Sequence, residues 1–369
     1  MKIALVSPYD YAHPGGVAIH ITNLYEQFIE MGHNVRIITP FSGNRDFLNN
    51  EDIIKLGRTF PIPSGGSIAR ATLSNLSSPI RTILEREKFD IIHLHEPLGS
   101  TITISTLRVS NTINVGTFHA FHSGNRGYRI MSPFVMRWFN KLNGKIAVSK
   151  PAMDFIGKHF PGDYEIIPNG IDVAHFSTDG PPIDEFNDGK LNILFVGRME
   201  KRKGLRYLVG AYERVKHELP NSRLIVVGPG KRQEYEKLVD KANMQDVVFT
   251  GYLPNEDLHR YYQTADVFCA PATGEESFGI ILLEAMAASK PIVASANDGY
   301  SSVMRHGVQG LLVPPRDEQA LASALIQLLS DKSLRQEMGA KGRLKAEECS
   351  WPNVAKSVFE YYLRLLNDS

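Results

Sequence analysis

The chain has 369 residues, which is too long for one ordinary hydrophobic core and suits two domains of about 150 to 200 residues each. A net charge of +1 and a charged fraction of 22% are those of an ordinary globular protein, and no apolar run is long enough to cross a bilayer. The two cysteines, Cys269 and Cys349, lack the spacing of a disulfide framework or a metal site. No nucleic-acid-binding module is recognisable. These features predict a cytoplasmic protein without an integral membrane segment, a bound metal or a nucleic-acid partner.

The first half alternates short β-branched runs with segments of helical period. The run KIALV near the N-terminus predicts a first strand rather than a signal peptide, and VRIITP, FDIIHLH, NVGTFH and KIAVS predict further strands. Apolar residues recur at helical spacing from Val17 to Met31, and Gly32 is placed to end that helix. The alternation is typical of an α/β domain with a doubly wound parallel sheet.

A second alternation begins with LNILFVG and continues through RLIVVG, VVFTG, ADVFCAP, PIVAS and GLLVP, which predicts a second doubly wound sheet. The Pro-, Gly- and Asp-rich segment at 174–190 has no usable periodicity and is predicted to be the linker. We therefore expect domains at 1–173 and 190–350. A final helix, from about Trp351 to Leu366, has an aromatic and aliphatic face suited to covering a domain surface.

Ligands of open parallel sheets bind beyond the carboxyl ends of the strands, so chemistry is expected in the loops there. Gly15 and Gly16 precede the first helix, where adjacent glycines and a helix N-terminus can admit a phosphate; a simple turn is the alternative.

The loop 197–204 follows the first strand of the second alternation. Arg198, Lys201, Arg202 and Lys203 crowd a helix N-terminus that already carries positive partial charge, which is unfavourable unless an anion is present. A solvated basic loop is the alternative. The position of the loop favours an anion site.

A third loop contains two glutamates, Glu276 and Glu284, with seven residues between them. Glu284 falls within the apolar helix ILLEAMAA, where a carboxylate is costly without a partner, and sugar hydroxyls are suitable partners. The backbone N–H groups at 279–281 would be free to bind phosphate oxygens. A capping glutamate followed by a salt-bridged core glutamate is the alternative.

One histidine and one asparagine follow strands of the first half. His119 ends the strand NVGTF; a substrate contact and a structural role are both open for it. Asn169, in the turn PNGID, is predicted to meet only a requirement of shape.

No acidic residue lies between Glu96 and Asp154, so this stretch should carry positive potential. Its basic residues are Arg108, Arg126, Arg129, Arg137, Lys141, Lys145 and Lys150. Residues 128–145 mix this charge with Phe, Trp and Met, the composition of an interfacial segment attracted to anionic lipid. A buried helix with solvated basic ends is the alternative.

Taken together, HPGG at 13–16, the GR…KG loop at 197–204, PNGID at 168–172 and the E-x7-E element resemble the retaining glycosyltransferases of the large fourth glycosyltransferase family. The resemblance covers essentially the whole chain and implies the GT-B fold, with two Rossmann-like domains facing a central cleft. Within that family, SPYDYAHPGGV, HLHEP, TFH, IPNGIDVAHF and GEESFGI are similar to the bacterial phosphatidylinositol mannosyltransferases.

The resemblance implies that 190–350 binds a nucleotide-sugar donor, GDP-mannose or alternatively UDP-glucose, and that 1–173, joined by the crossover helix 352–369, binds the acceptor. It implies catalysis by His119, Glu276, Arg198 and Lys203, with Glu276 on sugar hydroxyls and no metal required. The other expected donor-binding residues are Gly15, Gly16, Gly251, Leu253, Ser277, Phe278, Gly279, Ile280, Ile281 and Glu284, the last on the ribose. The expected acceptor-binding residues are Tyr9, His13, Ser67, Arg70 and Arg202.

The acceptor side departs from the inositol-lipid pattern. His13, Gly65 and Ala120 stand where Asp, Asn and Thr are expected, and a lysine expected near Gly124 is missing. A phosphatidylinositol-like lipid, another membrane lipid and a small soluble acceptor therefore all stay open, as does peripheral attachment to the inner face of the plasma membrane.

Three other functions are alternatives: a UDP-glucose-type transferase with a soluble acceptor, a sugar-nucleotide epimerase, and a sugar-nucleotide sensor without turnover. The donor motifs do not distinguish the first of these from a mannosyltransferase. The Glu276/Glu284 pair argues against the second, and intact motifs in both halves argue against the third.

Overall fold

The computed structural model describes residues 1–13, 15–42, 51–64, 67–119, 126–177, 182–242, 244–274 and 276–368. The chain divides into two units, Met1–Gly170 with Trp351–Ser369, and Ile171–Ser350. The boundary thus precedes the segment 174–190, where a linker was expected. Phe176 and Phe186 of that segment are buried in the core of the second unit, because both side chains join its apolar cluster.

The strands are β1 (Lys2–Val6), β2 (Asn34–Thr39), β3 (Ile53–Lys55), β4 (Thr59–Ser64), β5 (Ser67–Thr72), β6 (Ile91–His95), β7 (Ile113–Phe118), β8 (Gly144–Ala147), β9 (Glu165–Ile166), β10 (Leu191–Val196), β11 (Ser222–Val227), β12 (Val247–Gly251), β13 (Val267–Ala270), β14 (Ile292–Ser295) and β15 (Gly310–Val313).

The α-helices are α1 (Gly16–Glu30), α2 (Ser77–Glu87), α3 (Thr101–Val109), α4 (Arg126–Phe139), α5 (Lys150–Gly157), α6 (Val173–Phe176), α7 (Leu205–Glu218), α8 (Arg232–Lys241), α9 (Asn255–Thr264), α10 (Ile280–Ala287), α11 (Asp298–Val303), α12 (Glu318–Ser330), α13 (Lys332–Glu348) and α14 (Trp351–Asn367). Short 3-10 turns lie at Asp184–Phe186 and Lys201–Lys203.

In the described part of the first unit, the main sheet has seven parallel strands in the order β3-β2-β1-β6-β7-β8-β9, and β4 and β5 form a separate antiparallel pair. Side chains of β1 alternate between two cores: Ile3 and Leu5 enter one, Ala4 and Val6 the other. Burial on both faces explains why this strand is a continuous apolar run.

The described sheet of the second unit has six parallel strands in the order β12-β11-β10-β13-β14-β15. Its core is also double, with Leu194 and Val196 on one face of β10 and Ile193 and Phe195 on the other. The predicted α/β class and both doubly wound sheets are therefore confirmed. In each unit the strand order reverses once, between β1 and β6 and between β10 and β13, and loops diverge there to leave room for a ligand.

Helix α14 completes the core of the first unit. Trp351, Val358 and Tyr362 are buried in the same cluster as Ile3 and Leu5. The Tyr362 hydroxyl lies 2.6 Å from Nδ1 of His93, so a polar contact anchors the helix to β6.

We expect Tyr362→Phe to lower the free energy of unfolding by about 1–3 kcal/mol, because it leaves a buried ring nitrogen of His93 without its partner. Denaturant unfolding followed by circular dichroism measures the loss. Tyr252→Phe is the matched control, since Tyr252 is 73% exposed, and it should change stability by less than about 0.5 kcal/mol. Equal effects of the two substitutions would show that the buried contact contributes nothing.

Candidate functional site

The loops that follow β10 and β13 are joined directly. The Thr273 N–H donates to the Arg202 carbonyl oxygen at 2.8 Å. Gly204 has a φ of +73°, and a Cβ there would collide with the Pro271 carbonyl oxygen. Glycine is therefore needed at 204 for the basic loop to approach the loop that carries Glu276.

Five side chains on these loops alternate in charge, and we call them the ion ladder: Arg198, Glu200, Arg202, Glu276 and Lys203. Arg198 Nη1 lies 3.1 Å from Glu200 Oε1, and Glu200 Oε2 accepts from Arg202 Nε at 3.0 Å. Glu276 Oε1 then accepts from Arg202 Nη1 at 2.9 Å and from Lys203 Nζ at 2.8 Å.

The ladder is most buried at its inner end. The side chains of Glu276 and Lys203 are 11% and 16% exposed, against 44% for Arg198. Three cations face two carboxylates, so an excess positive charge is held beside an open strand end, and an anion is its natural complement. Arg198 and Lys203, expected to act as a pair, are linked through the ladder. Arg202, expected at the acceptor, is bonded to Glu276.

Helix α10 begins at Ile280, shortly after Glu276 of the ion ladder in the sequence. Its N-cap, Gly279, has a φ of +109°, and a Cβ there would collide with the Tyr300 ring. No side chain caps the helix and its first turn has no acidic residue, so the N–H groups at its start keep their positive partial charge. Phe278 is buried, whereas Ile280 and Ile281 are partly buried.

Glu284, on α10, accepts a hydrogen bond from the Tyr262 hydroxyl at 2.7 Å. Burial raises the pKa of Glu284 to about 7, while this hydrogen bond and the nearby Lys203 charge oppose the rise. Burial raises the pKa of Tyr262 well above 10, so the hydroxyl remains a donor. Sequence reasoning missed Tyr262, because a tyrosine on the amphipathic α9 carries no signal of its partner.

Gly251 and Leu253 flank the end of β12. The Gly251 carbonyl accepts the N–H of Gly228 at 2.8 Å, and Leu253 packs against the core of the unit. Tyr252 between them is exposed.

In the first unit, the loop after β1 is organised by Asp10, which sequence reasoning also missed. Its buried carboxylate accepts the N–H groups of Ala12 and Ser42, each at 3.1 Å, and the Thr59 hydroxyl at 2.7 Å. Burial alone would raise the pKa of Asp10, but the hydrogen bonds from Ser42 and Thr59 outweigh it and hold the pKa below its usual range.

Three predicted acceptor residues surround Asp10. Arg70 Nε lies 3.7 Å from its carboxylate, Tyr9 pairs with Ala71 of β5, and His13 is exposed. The fold therefore gathers Tyr9, His13 and Arg70 near one strand end. The Ser67 side chain, Gly65, Ala120 and Gly124 lie outside the described residues.

At the ends of β6 and β7, four histidines cluster: His20, His93, His95 and His119. Nδ1 of His95 lies 3.0 Å from Nε2 of His119, and the rings of His93 and His95 stack with centroids 4.5 Å apart. His20 contacts the rings of both His95 and His119 edge-on.

Polar groups surround the cluster. His20 Nδ1 lies 3.0 Å from Oδ1 of Asn169, so Asn169 has a side-chain contact as well as a place in the turn. The backbone N–H of His119 donates to Glu96 Oε1 at 2.6 Å. Glu96 is a third residue that sequence reasoning missed, although HLHEP was recognised as a motif.

Among the described residues, one group has the side chains needed to hold a metal ion: His20, His95 and His119, whose ligand atoms lie within 4.8 Å of one another. In a zinc site each ligand nitrogen lies about 2.0–2.1 Å from the ion, so any two of these nitrogens are closer together than 4.8 Å. As arranged here, the three rings form a hydrogen-bonded and stacked cluster.

Some side chains of the stretch between Glu96 and Asp154 are buried in the core, and others lie on the surface. Val135 and Phe139 of α4 are buried, whereas Phe134 is 70% exposed. Lys141 Nζ donates to the carbonyl oxygen of Ser110 at 2.6 Å, at the C-terminus of α3. The side chains of 126–131 lie outside the described residues. No helix in the described ranges combines the length and apolarity needed to span a membrane.

Comparison with known proteins gives two family matches that together cover most of the chain. Residues 14–175 match Glycosyltransferase Family 4, and residues 179–345 match Glycosyl transferases group 1.

Among relatives, a phosphatidyl-myo-inositol mannosyltransferase from Mycobacterium leprae is 35% identical over 98% of this chain and 96% of its own length. An alpha-monoglucosyldiacylglycerol synthase from Acholeplasma laidlawii is 25% identical over 100% and 98%. Among solved structures, Anabaena HepE in complex with UDP and glucose has a TM-score of 0.79 at 18% identity, covering 98% of this chain and 99% of its own. The chain has two doubly wound units, and the loops after β10 and β13 carry an excess of positive charge. It belongs to the GT-B glycosyltransferases of the group 1 and family 4 type.

Proposed function

We propose that the enzyme is a retaining, metal-independent mannosyltransferase that moves mannose from GDP-mannose to a hydroxyl of a phosphatidylinositol-like membrane lipid. The observation that carries this proposal is the ion ladder of the second unit. It places ion-paired cations beside carboxylates where β10 and β13 end, and donor cleavage would need both cations for the phosphates and a carboxylate for sugar hydroxyls.

The donor diphosphate would bind where Lys203 and Arg198 meet the N-terminus of α10. When the glycosidic bond breaks, negative charge accumulates on the leaving diphosphate, and fixed cations with helix N–H groups stabilise that charge. Gly15 and Gly16 lie at the start of α1, where no described side chain caps the helix, so the N–H groups there are also suited to a phosphate. This accounts for leaving-group stabilisation without a metal.

Glu276 and Glu284 would hold the sugar and the ribose. Glu276 has one carboxylate oxygen bonded to two cations, and sugar hydroxyls would compete for this carboxylate when the diphosphate draws Lys203 away. Glu284 uses Oε2 toward Tyr262, so ribose hydroxyls would engage its other oxygen.

Retention would follow from front-face attack, with the leaving phosphate taking the acceptor proton. His119 is unsuited to that role, because burial holds its pKa well below 6.5. His119 would instead contact the sugar.

The acceptor would bind at the strand-end loops of the first unit, near Tyr9, His13, Ser67 and Arg70. The expected contact of Arg202 with the acceptor stays a prediction. The names of the two relatives support a lipid acceptor, since both denote transfer to a lipid. The exposed Phe134 supports a peripheral position at the inner face of the plasma membrane.

A UDP-glucose-type transfer is the second candidate. It is supported by the glucosyl product in the name of the Acholeplasma relative and by the UDP and glucose in the HepE structure.

Calorimetric titration with GDP, UDP and ADP, without added metal, tests the donor. We expect GDP to bind most tightly, and purified inositol phospholipid to accept mannose from GDP-mannose with α configuration. Preference for UDP would move the assignment to a glucosyl-type transferase. Failure of all three nucleotides to bind would overturn the donor site itself.

The ladder predicts opposite effects of its two inner members on GDP binding. Glu276→Gln should strengthen GDP binding severalfold, because Lys203 and Arg202 lose a compensating charge, while turnover falls by at least about tenfold. Lys203→Ala should weaken GDP binding by about tenfold. Calorimetry and initial rates measure both.

Lys201→Ala is the matched control, because Lys201 lies in the same loop but is exposed and outside the ladder. Its GDP affinity should stay within about twofold of the parent enzyme. Weakened binding in Glu276→Gln would contradict the competition between carboxylate and diphosphate.

Glu284→Gln should stabilise the fold above neutral pH. Because the folded-state pKa, about 7, exceeds the ordinary value of 4.5, the folded protein binds the proton more tightly than the unfolded chain, and Glu284 lowers stability increasingly as pH rises from 4.5 to 7. The neutral glutamine should raise the free energy of unfolding by about 1–3 kcal/mol at pH 8 and by much less at pH 5. Denaturation at the two pH values measures this. Glu213→Gln, on the exposed face of α7, should show no such pH dependence.

A further inference from the structure

We propose that His95 is a positioning residue that holds the His119 imidazole in one tautomer through a hydrogen bond inside the first unit. The inference rests on the proposed function only in giving His119 a contact with the transferred sugar. His95 was not expected from the sequence to act on the site.

The His119 ring has one nitrogen with a defined partner: Nε2 lies 3.0 Å from Nδ1 of His95. The Asn169 amide oxygen lies 3.0 Å from Nδ1 of His20, whose ring contacts that of His119 edge-on. A hydrogen bond from the Asn169 side chain opposes the lowering of the His119 pKa by burial.

The direction of the bond between His95 and His119 follows from burial. Nε2 of His95 is buried without a hydrogen-bond partner among the described residues. A buried N–H without an acceptor is rarer and costlier than a lone pair without a donor. The proton of His95 therefore resides on Nδ1, which donates to Nε2 of His119.

Since Nε2 of His119 accepts, the proton of this ring resides on Nδ1. His20 likewise carries its proton on Nδ1, because this nitrogen contacts the carbonyl oxygen of the Asn169 amide, which can only accept.

The position of His95 is itself held by packing. Its ring stacks between His93, at 4.5 Å and 27°, and His119, at 5.3 Å and 25°. His93 is in turn bonded on both nitrogens, to the Tyr362 hydroxyl and to the Thr117 hydroxyl, each at 2.6 Å. Rotation of the His119 ring would break its hydrogen bond with His95 and disturb these ring contacts.

The titratable groups that face His119 are His20 from α1, His93 and His95 from β6, Glu96 directly after β6 and, behind His93, Tyr362 from α14. Burial holds the pKa of His20 at about 4 and that of His93 at about 3, and keeps the pKa of His95 well below 6.5. All four imidazoles are therefore neutral near neutral pH. His119, which is partly exposed, presents a fixed and uncharged ring to the sugar.

The tautomers can be measured directly by histidine-selective ¹⁵N NMR of the full-length protein. We expect His95, His119 and His20 each to be protonated on Nδ1 and to stay neutral at pH 6. Assignment of the His119 proton to Nε2, or titration of His119 near pH 6.5, would overturn the proposal. The NMR measurement does not require transferase activity, so its result can be distinguished from a failure of the proposed function.

Substitutions test the positioning role. His95→Leu removes the donor and should lower kcat by about tenfold or more, with a new ionisation of His119 in the pH–rate profile. His95→Asn keeps an N–H donor near the place of Nδ1 and should restore kcat to within about threefold of the parent. GDP affinity should be unchanged in both, because the ion ladder lies in the other unit.

A purely structural role of His95 predicts a different pattern. Leu and Asn variants that lose kcat equally, with unchanged pH profiles, would overturn the positioning role. Variants that both match the parent enzyme would do the same. Circular dichroism and melting temperature identify any variant that fails to fold, in which case the NMR assignment of the parent protein decides alone.

Discussion

The order of the parallel strands is the constraint on which both halves of the site depend. Parallel strands end at the same edge of a sheet, and where their order reverses, successive loops turn apart and leave a crevice. The loops that follow β10 and β13, on the two sides of one reversal, carry the ion ladder, and the reversal between β1 and β6 lies beside the histidine cluster. Polar and charged side chains gather at these edges because the interior of each sheet is apolar on both faces.

The two sites handle burial in different ways. In the second unit, charge is buried and compensated, since Glu276 is bonded to two cations and leaves one positive charge in excess. In the histidine cluster of the first unit, four imidazoles, three buried and one partly exposed, remain neutral and bind one another through hydrogen bonds and ring contacts. The ion ladder of the second unit is therefore suited to an anion, and the histidine cluster to an uncharged polar group.

The sequence predicted the parts of this molecule that depend on local patterns. Apolar runs and their spacing located α1 and the strands of the two parallel sheets except β3 and β9, whereas the antiparallel pair β4 and β5 was missed. The loops after β10 and β13 were recognised by their charge and position. Glu284 was recognised because a carboxylate inside ILLEAMAA needs a partner. That partner, Tyr262, lies 22 positions earlier and became visible only when α9 packed against α10.

Other misses have the same cause. Asp10 and Glu96 act by accepting backbone N–H groups, and Asn169 acts across 149 positions on His20, so none has a spacing that a sequence reveals. The segment 174–190 has the composition of a linker, yet two of its aromatic side chains, Phe176 and Phe186, are buried in the core of the second unit. The composition of a segment averages over all of its residues, whereas its packing depends on the few side chains that enter a core.

The return of α14 to the first unit also affects how the protein is made. Residues 1–170 leave the ribosome first, but the core around Ile3 and Leu5 stays uncovered until Trp351–Asn367 has been synthesised. The second unit, continuous in sequence, can close in the meantime. At typical elongation rates of about 5 to 20 residues per second, the first unit waits roughly 10 to 40 seconds with an apolar face open to chaperones. Only a chain translated through α14 can complete the core of the first unit.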